Sequence, residues 1–285
     1  DNISQKSIQH YGEQILPLAL RYVTDETYSD KEALKSESDA VNFTIPLLGM
    51  FNFSRTGYTV VNIVIFVLFL LLFALEAIRG RLNARKVVIK SLTVLGASLG
   101  VMVVGSFISM LCSSIAGVPF KLFGTVQGVM FDNAAMIAAS VLMVIVAILI
   151  YAAARAKAVR SVANSMRVSA SANAARNHAY NVFYGTMSLI LIISAVLLFT
   201  LGENMMFLIP LAFATLAMML YHLTNLKLWI VAAIALILLH VFSFYYALAM
   251  ALTIGALGAV MMLSFFAVMV LIPLADIYLM SSKKK

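Results

Sequence analysis

The sequence predicts an all-α protein: a polytopic transmembrane helix bundle of about seven spans behind a short extramembrane N-terminal segment. Two patterns carry that expectation. Between Thr59 and Met280 the chain is a succession of long apolar runs, and a bilayer core about 30 Å thick needs roughly 20 apolar helical residues to cross it. The runs are Thr59–Ile78, Val87–Leu111, Ala134–Tyr151, Val182–Leu201, Met205–Tyr221, Leu228–Phe244 and Ala247–Ile272. The second pattern is charge. Arg79, Arg81, Arg85, Lys86 and Lys90 follow the first run, and Arg155, Lys157, Arg160, Arg167 and Arg176 follow the third. Lys227 follows the fifth, and Lys283, Lys284 and Lys285 follow the seventh. The opposite gaps offer only Lys121, Asp132 and Glu203. The positive-inside rule then places the N-terminal segment outside and the lysine tail, 281–285, in the cytoplasm.

Composition agrees. The chain is 63% hydrophobic and 11% charged, where a soluble domain is about half apolar and about a quarter charged. The formal net charge of +8 sits in the cytoplasmic gaps, where it sets topology and meets anionic headgroups. No basic–aromatic platform accompanies it, so nucleic acid is excluded as a partner and the lipid bilayer is the expected one. A single cysteine, Cys112, excludes an internal disulfide and a thiolate metal cluster. Its place in an apolar run makes it a small packed residue. The chain starts at Asp1 without an initiator methionine or signal peptide. An outside N-terminus ordinarily needs an upstream export signal, so a piece of a longer protein is expected.

In chain order, Ser7–Val23 reads as a helix, with Ser4 or Ser7 as cap and Ile8, Tyr11, Ile15, Leu18 and Tyr22 on one apolar face. Pro17 should kink it or end its first half. Such a short amphipathic helix is marginal alone in water, so its face calls for a partner. Thr24–Ser38 is polar and reads as linker. Val41–Phe53 is β-branched and aromatic, with Pro46 and Gly49, and fits either an edge strand or a membrane-surface segment. The domain reading is therefore 1–23, 24–57 as linker and short apolar stretch, 58–280 as the seven-span domain, and 281–285. Ala152–Asn181 lacks proline and glycine and suits an amphipathic basic helix on the inner headgroups, or alternatively a partner-docking helix. Gly96 and Gly100 form a GxxxG match, with Gly105 beyond and Gly255 and Gly258 in the last run. Small residues let helices approach closely, here within the chain ahead of dimerisation. Phe244–Met280 fits one span or two short helices.

Charges inside the hydrocarbon are functional suspects by default. Glu76 precedes Arg79 by three residues and can reach water or pair with it. Asp276 lies near the terminal lysines. Both fit interfacial positions. His240, late in the sixth run, reads as a neutral histidine bonded to a neighbouring helix ahead of a proton relay. Asn62 and Gln127 are polar but isolated. No HExxH or GxSxG motif occurs, and His10, His178, His222 and His240 are scattered. The residues therefore assign no catalytic, cofactor-binding or metal position within this chain.

A resemblance adds a functional expectation. Asp1-Asn2-Ile3-Ser4, then Ser7-Ile8-Gln9-His10-Tyr11-Gly12-Glu13 and Leu16-Pro17-Leu18-Ala19-Leu20, resemble the end of a co-catalytic zinc aminopeptidase domain. The family is that of aminopeptidase Y and the secreted bacterial leucine aminopeptidases. There, an Asp-Asn-Ile-like stretch follows the last zinc-ligand histidine and leads into the closing helix. One branch, the vacuolar and endoplasmic-reticulum membrane aminopeptidases and bacterial relatives, carries a multi-span C-terminal domain. Asp39-Ala40-Val41-Asn42-Phe43 and Leu47-Leu48-Gly49-Met50-Phe51 are similar to the segment joining its two parts. The resemblance covers about 23 residues at its start and implies that 1–23 is the closing helix of a truncated peptidase domain. The chain would be the membrane-anchoring C-terminal part of a zinc-dependent aminopeptidase, a metallopeptidase and hydrolase. Its upstream peptidase domain, with zinc as cofactor, would act on peptide substrate outside the cytoplasm. The ligands and the catalytic acid would lie before Asp1, and His10 matches no ligand position. The alternative is a stand-alone polytopic membrane scaffold or a transporter-like protein.

Overall fold

The computed structural model describes residues 5–26, 40–45, 49–115, 133–163, 168–252 and 257–282. Among them the order is α1 (Gln5–Thr24), β1 (Ala40–Ile45), β2 (Gly49–Ser54), α2 (Arg55–Ile78), α3 (Ala84–Ile115), α4 (Asn133–Ala163), α5 (Val168–Leu201), α6 (Met205–Thr224), α7 (Leu228–Leu252) and α8 (Leu257–Ser282). Contacts divide the chain into two units, Asp1–Asn42 with Asn52–Tyr58, and Phe43–Phe51 with Thr59–Lys285.

In the first unit, α1 starts two residues before the expected Ser7 and continues through Pro17 without ending there. Gln9 donates to Glu13 at 3.3 Å, and Arg21 lies 4.0 Å from Asp25, both at i,i+4 spacing on exposed surface. The described large apolar residues of α1, including Ile15, Leu16, Leu20, Tyr22 and Val23, are all exposed. The Thr24–Ser38 linker lies outside the described residues after Glu26.

The described residues of Val41–Phe53 are strand. β1 and β2 pair in a two-stranded sheet, and a three-residue connection leaves only an antiparallel pairing. Phe43 and Phe51 stack across it with centroids 5.5 Å apart. The sheet passes directly into α2, where the Ser54 Oγ accepts from the Gly57 N–H at 3.2 Å, satisfying one of the free donors of the first turn.

The second unit is a helical bundle and an integral membrane protein. Six helices are long and apolar enough to cross a membrane: α2, α6, and stretches of α3, α4, α5 and α8. The seventh, α7, has a described apolar stretch of Leu228–Phe244 within its 25 residues. The bundle is apolar outside as well as inside. Val67, Leu70 and Leu71 on α2, Leu142 and Leu149 on α4, and Phe199 and Leu201 on α5 are exposed. Water would penalise that surface, and lipid tails match it.

Two expectations are corrected. The seventh span is not Ala247–Ile272: α7 runs on to Leu252, and α8 occupies Leu257–Ser282. Phe244–Met280 therefore holds the end of one helix and a single further span. Nor is Ala152–Asn181 a separate surface helix. With 31 and 34 residues, α4 and α5 are roughly 46 and 51 Å long at about 1.5 Å per residue, well over the hydrocarbon thickness. They carry Arg155, Arg160 and Arg176 as extensions of spanning helices, and Arg167 lies outside the described residues.

At the centre, α8 packs on α3, α4, α5 and α7. Val260, Met261, Phe265 and Met269 meet Val94, Met143, Ala147, Val182 and Leu189 in one buried cluster. Glycine makes this approach possible. A Cβ on Gly105 would stand 2.9 Å from the Gly258 Cα, and one on Gly258 would stand 2.5 Å from the Met102 carbonyl oxygen. Likewise a Cβ on Gly185 of α5 would meet the Ser91 nitrogen and Val87 oxygen of α3 at 3.1 Å. The Ser91 hydroxyl donates to the Gly185 carbonyl there at 2.8 Å. Gly96 and Gly100, by contrast, face open space. The GxxxG pair does not pack within the described chain, and Gly105 and Gly258 do. Gly255 lies outside the described residues.

Candidate functional site

The most unusual group in the bundle is Glu76, a carboxylate with no exposed surface near the C-terminal end of α2. Left alone at membrane depth, an acid costs about 2.5–3.5 kcal/mol on insertion scales. The way α2 ends supplies its partners. Gly80, at φ +69°, donates to the Ala77 carbonyl, and Arg81 donates to that of Glu76. This is the paired-bond helix ending in which the residues in the positions of Glu76 and Arg81 touch, commonly through apolar side chains. Here the contact is ionic. Arg81 Nη1 donates to both Glu76 oxygens at 3.2 and 3.1 Å, and Arg79 Nη1 donates to Oε1 at 3.2 Å. From α6, His222 Nε2 lies 2.8 Å from the same oxygen. Partial burial opposes the charge on Arg81, and Tyr180 and the carboxylate outweigh it, so its pKa is raised above the ordinary arginine value.

Tyrosines from α5 surround the cluster. The Arg81 guanidinium sits 5.7 Å from the Tyr180 ring centroid, close enough for a cation–π contact. Tyr180 stacks with Tyr184, which packs in turn against Phe69 and Phe73 of α2. The start of α3 is tied in as well. Asn83 caps it by accepting from the Lys86 N–H at 3.1 Å, while its own N–H donates to the Asn181 side chain of α5 at 3.1 Å. Beside these groups, Arg81, Arg176, Tyr180, Tyr221, His222 and Asn225 line a cavity of about 130 Å³ together with Ile277 and Met280.

A second ionic group lies on α4 and α8. Among the described residues Asp276 meets α4: Arg155 Nε lies 2.7 Å from its Oδ2, and the Tyr151 hydroxyl donates to that oxygen at 3.0 Å. His178 packs against Tyr151, with ring centroids 5.4 Å apart. A third group, uncharged, sits near the opposite end of α2. Asn62 is not isolated but fully buried, and Asn204 Nδ2 donates to its Oδ1 at 2.7 Å and to the Ser194 hydroxyl at 2.6 Å. Asn204 stands at the start of α6, yet its side chain makes no capping bond because it is committed to α2 and α5. His240 is buried beside Met206 of α6, and its Nε2 has no hydrogen-bond partner among the described residues. Gln127 lies outside the described residues.

Sequence reasoning found the Glu76–Arg79 pair, which is local. It missed His222, Tyr180 and Asn181 beside it, the Asp276–Arg155 pair, and Asn62–Ser194–Asn204. Each joins residues far apart in the chain, and no spacing rule signals them. Among the described residues no group of three or more His, Cys, Asp or Glu side chains could hold a metal ion. The chemistry of the arrangement is charge compensation, with several donors gathered around few acids. No family model, curated protein or solved structure matches the chain.

Proposed function

We propose that this chain is the membrane-anchoring C-terminal part of a zinc-dependent aminopeptidase, with α1 as the closing helix of the catalytic domain. One observation carries the reading. In α1, whose sequence resembles that closing helix, described apolar side chains as large as Ile15, Leu16 and Leu20 are exposed. Burying such side chains is worth about 1.5–3 kcal/mol each, so a helix of this kind belongs against a folded domain. Catalysis would belong wholly to that domain, whose zinc ions would polarise the scissile carbonyl and activate water. The seven apolar helices would hold it at the non-cytoplasmic face, with the basic residues around Arg81 and Arg155 on the cytoplasmic side.

The test is the coding sequence before Asp1 and the activity of its product. A histidine-containing stretch immediately upstream, an Asp/Glu metal set further up, and chelator-sensitive release of N-terminal amino acids are the expected results. A start codon a few residues before Asp1 would overturn the reading in favour of a stand-alone scaffold. For orientation, cysteines introduced at 285 and at Arg160, with Cys112 replaced, should label from the cytoplasmic side only. Labelling from opposite faces would refute the topology.

A further inference from the structure

The cavity beside Glu76 has the composition of an anion site. Arg81, Arg176, Tyr180, Tyr221, His222 and Asn225, all side chains that carry N–H or O–H groups, line it, and no carboxylate is among its described lining residues. The one acid in contact with this group, Glu76, is already shared by Arg79, Arg81 and His222. Asp276 is engaged by Arg155 and Tyr151. On Arg176, the Nε is buried without a hydrogen-bond partner among the described residues. A buried, unpaired guanidinium nitrogen is costly, and guanidinium geometry matches phosphate oxygens. The volume of about 130 Å³ is roughly ten times the 10–15 Å³ that one water needs, which is room for a tetrahedral anion.

We infer that this cavity binds a phosphate group, held by Arg176 and Arg81 and by the Tyr221 and Tyr180 hydroxyls. The wall formed by Ile277 and Met280 is apolar, which suits a phosphate that carries acyl chains, and basic pockets between spanning helices are where anionic headgroups bind. Asn225 is exposed and lies at the left-handed end of α6, leaving the site open to solvent. The inference does not rest on the peptidase reading, since every residue belongs to the bundle.

The full chain, purified in neutral detergent, is titrated with short-chain phosphatidic acid, inorganic phosphate and short-chain phosphatidylcholine, reading the thermal midpoint. Phosphatidic acid should raise the midpoint at lower concentration than phosphatidylcholine. Arg176→Gln should weaken that response about tenfold or more, the worth of a hydrogen bond to a charged group. Arg85→Gln removes the same charge from an exposed position and should leave the response within about twofold. Inorganic phosphate acting as strongly as phosphatidic acid identifies a free anion as the ligand, and a weaker effect identifies a headgroup. Tyr221→Phe keeps charge and ring, and should weaken binding several-fold even if Arg176→Gln does not fold. No response to either phosphate compound, equal losses in the two arginine variants, or an unchanged Tyr221→Phe would each overturn the inference.

Discussion

Helices α2 and α8 are nearly equal in hydropathy, 2.8 and 2.5 over their most apolar stretches, yet 28% of the α2 stretch is buried against 67% of that in α8. In water such a difference would follow from apolar content. In a bilayer the tails are as apolar as leucine, so hydrophobicity places both helices in the membrane and says nothing about which is central. What distinguishes them is the kind of contact. α8 is held by close packing around Gly258 and Phe265. α2 is pinned at three heights: Asn62 to Asn204, Phe69 and Phe73 to Tyr184, and Glu76 to Arg81 and His222. A central membrane helix needs small residues, and a peripheral one needs polar anchors.

The comparison can be broken at either helix. Gly258→Leu forces a Cβ against Met102 and Ser106 of α3 and should destabilise the whole bundle by about 3 kcal/mol or more, read from thermal unfolding in detergent. A variant as stable as the parent would mean that glycine packing is not what centres α8. Glu76→Ala should cost about 2 kcal/mol. That is less than the 3–5 of a fully enclosed pair, because the side chains of Arg79 and Arg81 are 38% and 30% exposed and water screens what remains. Hydrogen exchange should localise the loosening to the C-terminal half of α2, and a uniform loss across α3–α8 would contradict its peripheral role. Asn62→Ala should cost about 1 kcal/mol, near the typical worth of hydrogen bonds between membrane helices, with faster exchange confined to the N-terminal half of α2. Gly96→Leu, which meets nothing, should change stability by no more than about 0.5 kcal/mol. A large effect there would reveal a second copy of the chain covering that face.

The class of fold was legible because length and apolarity alone decide what crosses a bilayer, and α2, α3 and α6 fall close to their expected runs, while α4 runs on past Tyr151 and α5 begins well before Val182. The boundary between α7 and α8 was misread because Phe244–Leu252 carries neither charge nor proline. A helix can pass through such a stretch with no change in hydropathy. Gly96-x-x-x-Gly100 misled for a related reason. Spacing shows that two small residues share a face, but not which way that face points. The Glu76 cluster was half legible: the turn after Ile78 makes the arginine contacts local, whereas His222 and Tyr180 arrive by tertiary packing. The Asn62–Asn204 bond spans 142 positions, and nothing near either residue announces the other.

The ionic turn at the end of α2 has a consequence for biogenesis. Arg79 and Arg81 leave the ribosome within five residues of Glu76, so the acid acquires its counter-charges as soon as the helix is threaded into the bilayer. The C-terminal end of α2 is thus self-sufficient during insertion. Asn62, near the N-terminal end, must wait for Asn204, and 142 residues at about 5–20 residues per second is roughly 7–28 s of synthesis. For that interval α2 is a tethered but unlatched segment. Its final latch closes only when α5 and α6 have entered, which makes docking of α2 a late checkpoint on the completeness of the upstream half of the bundle.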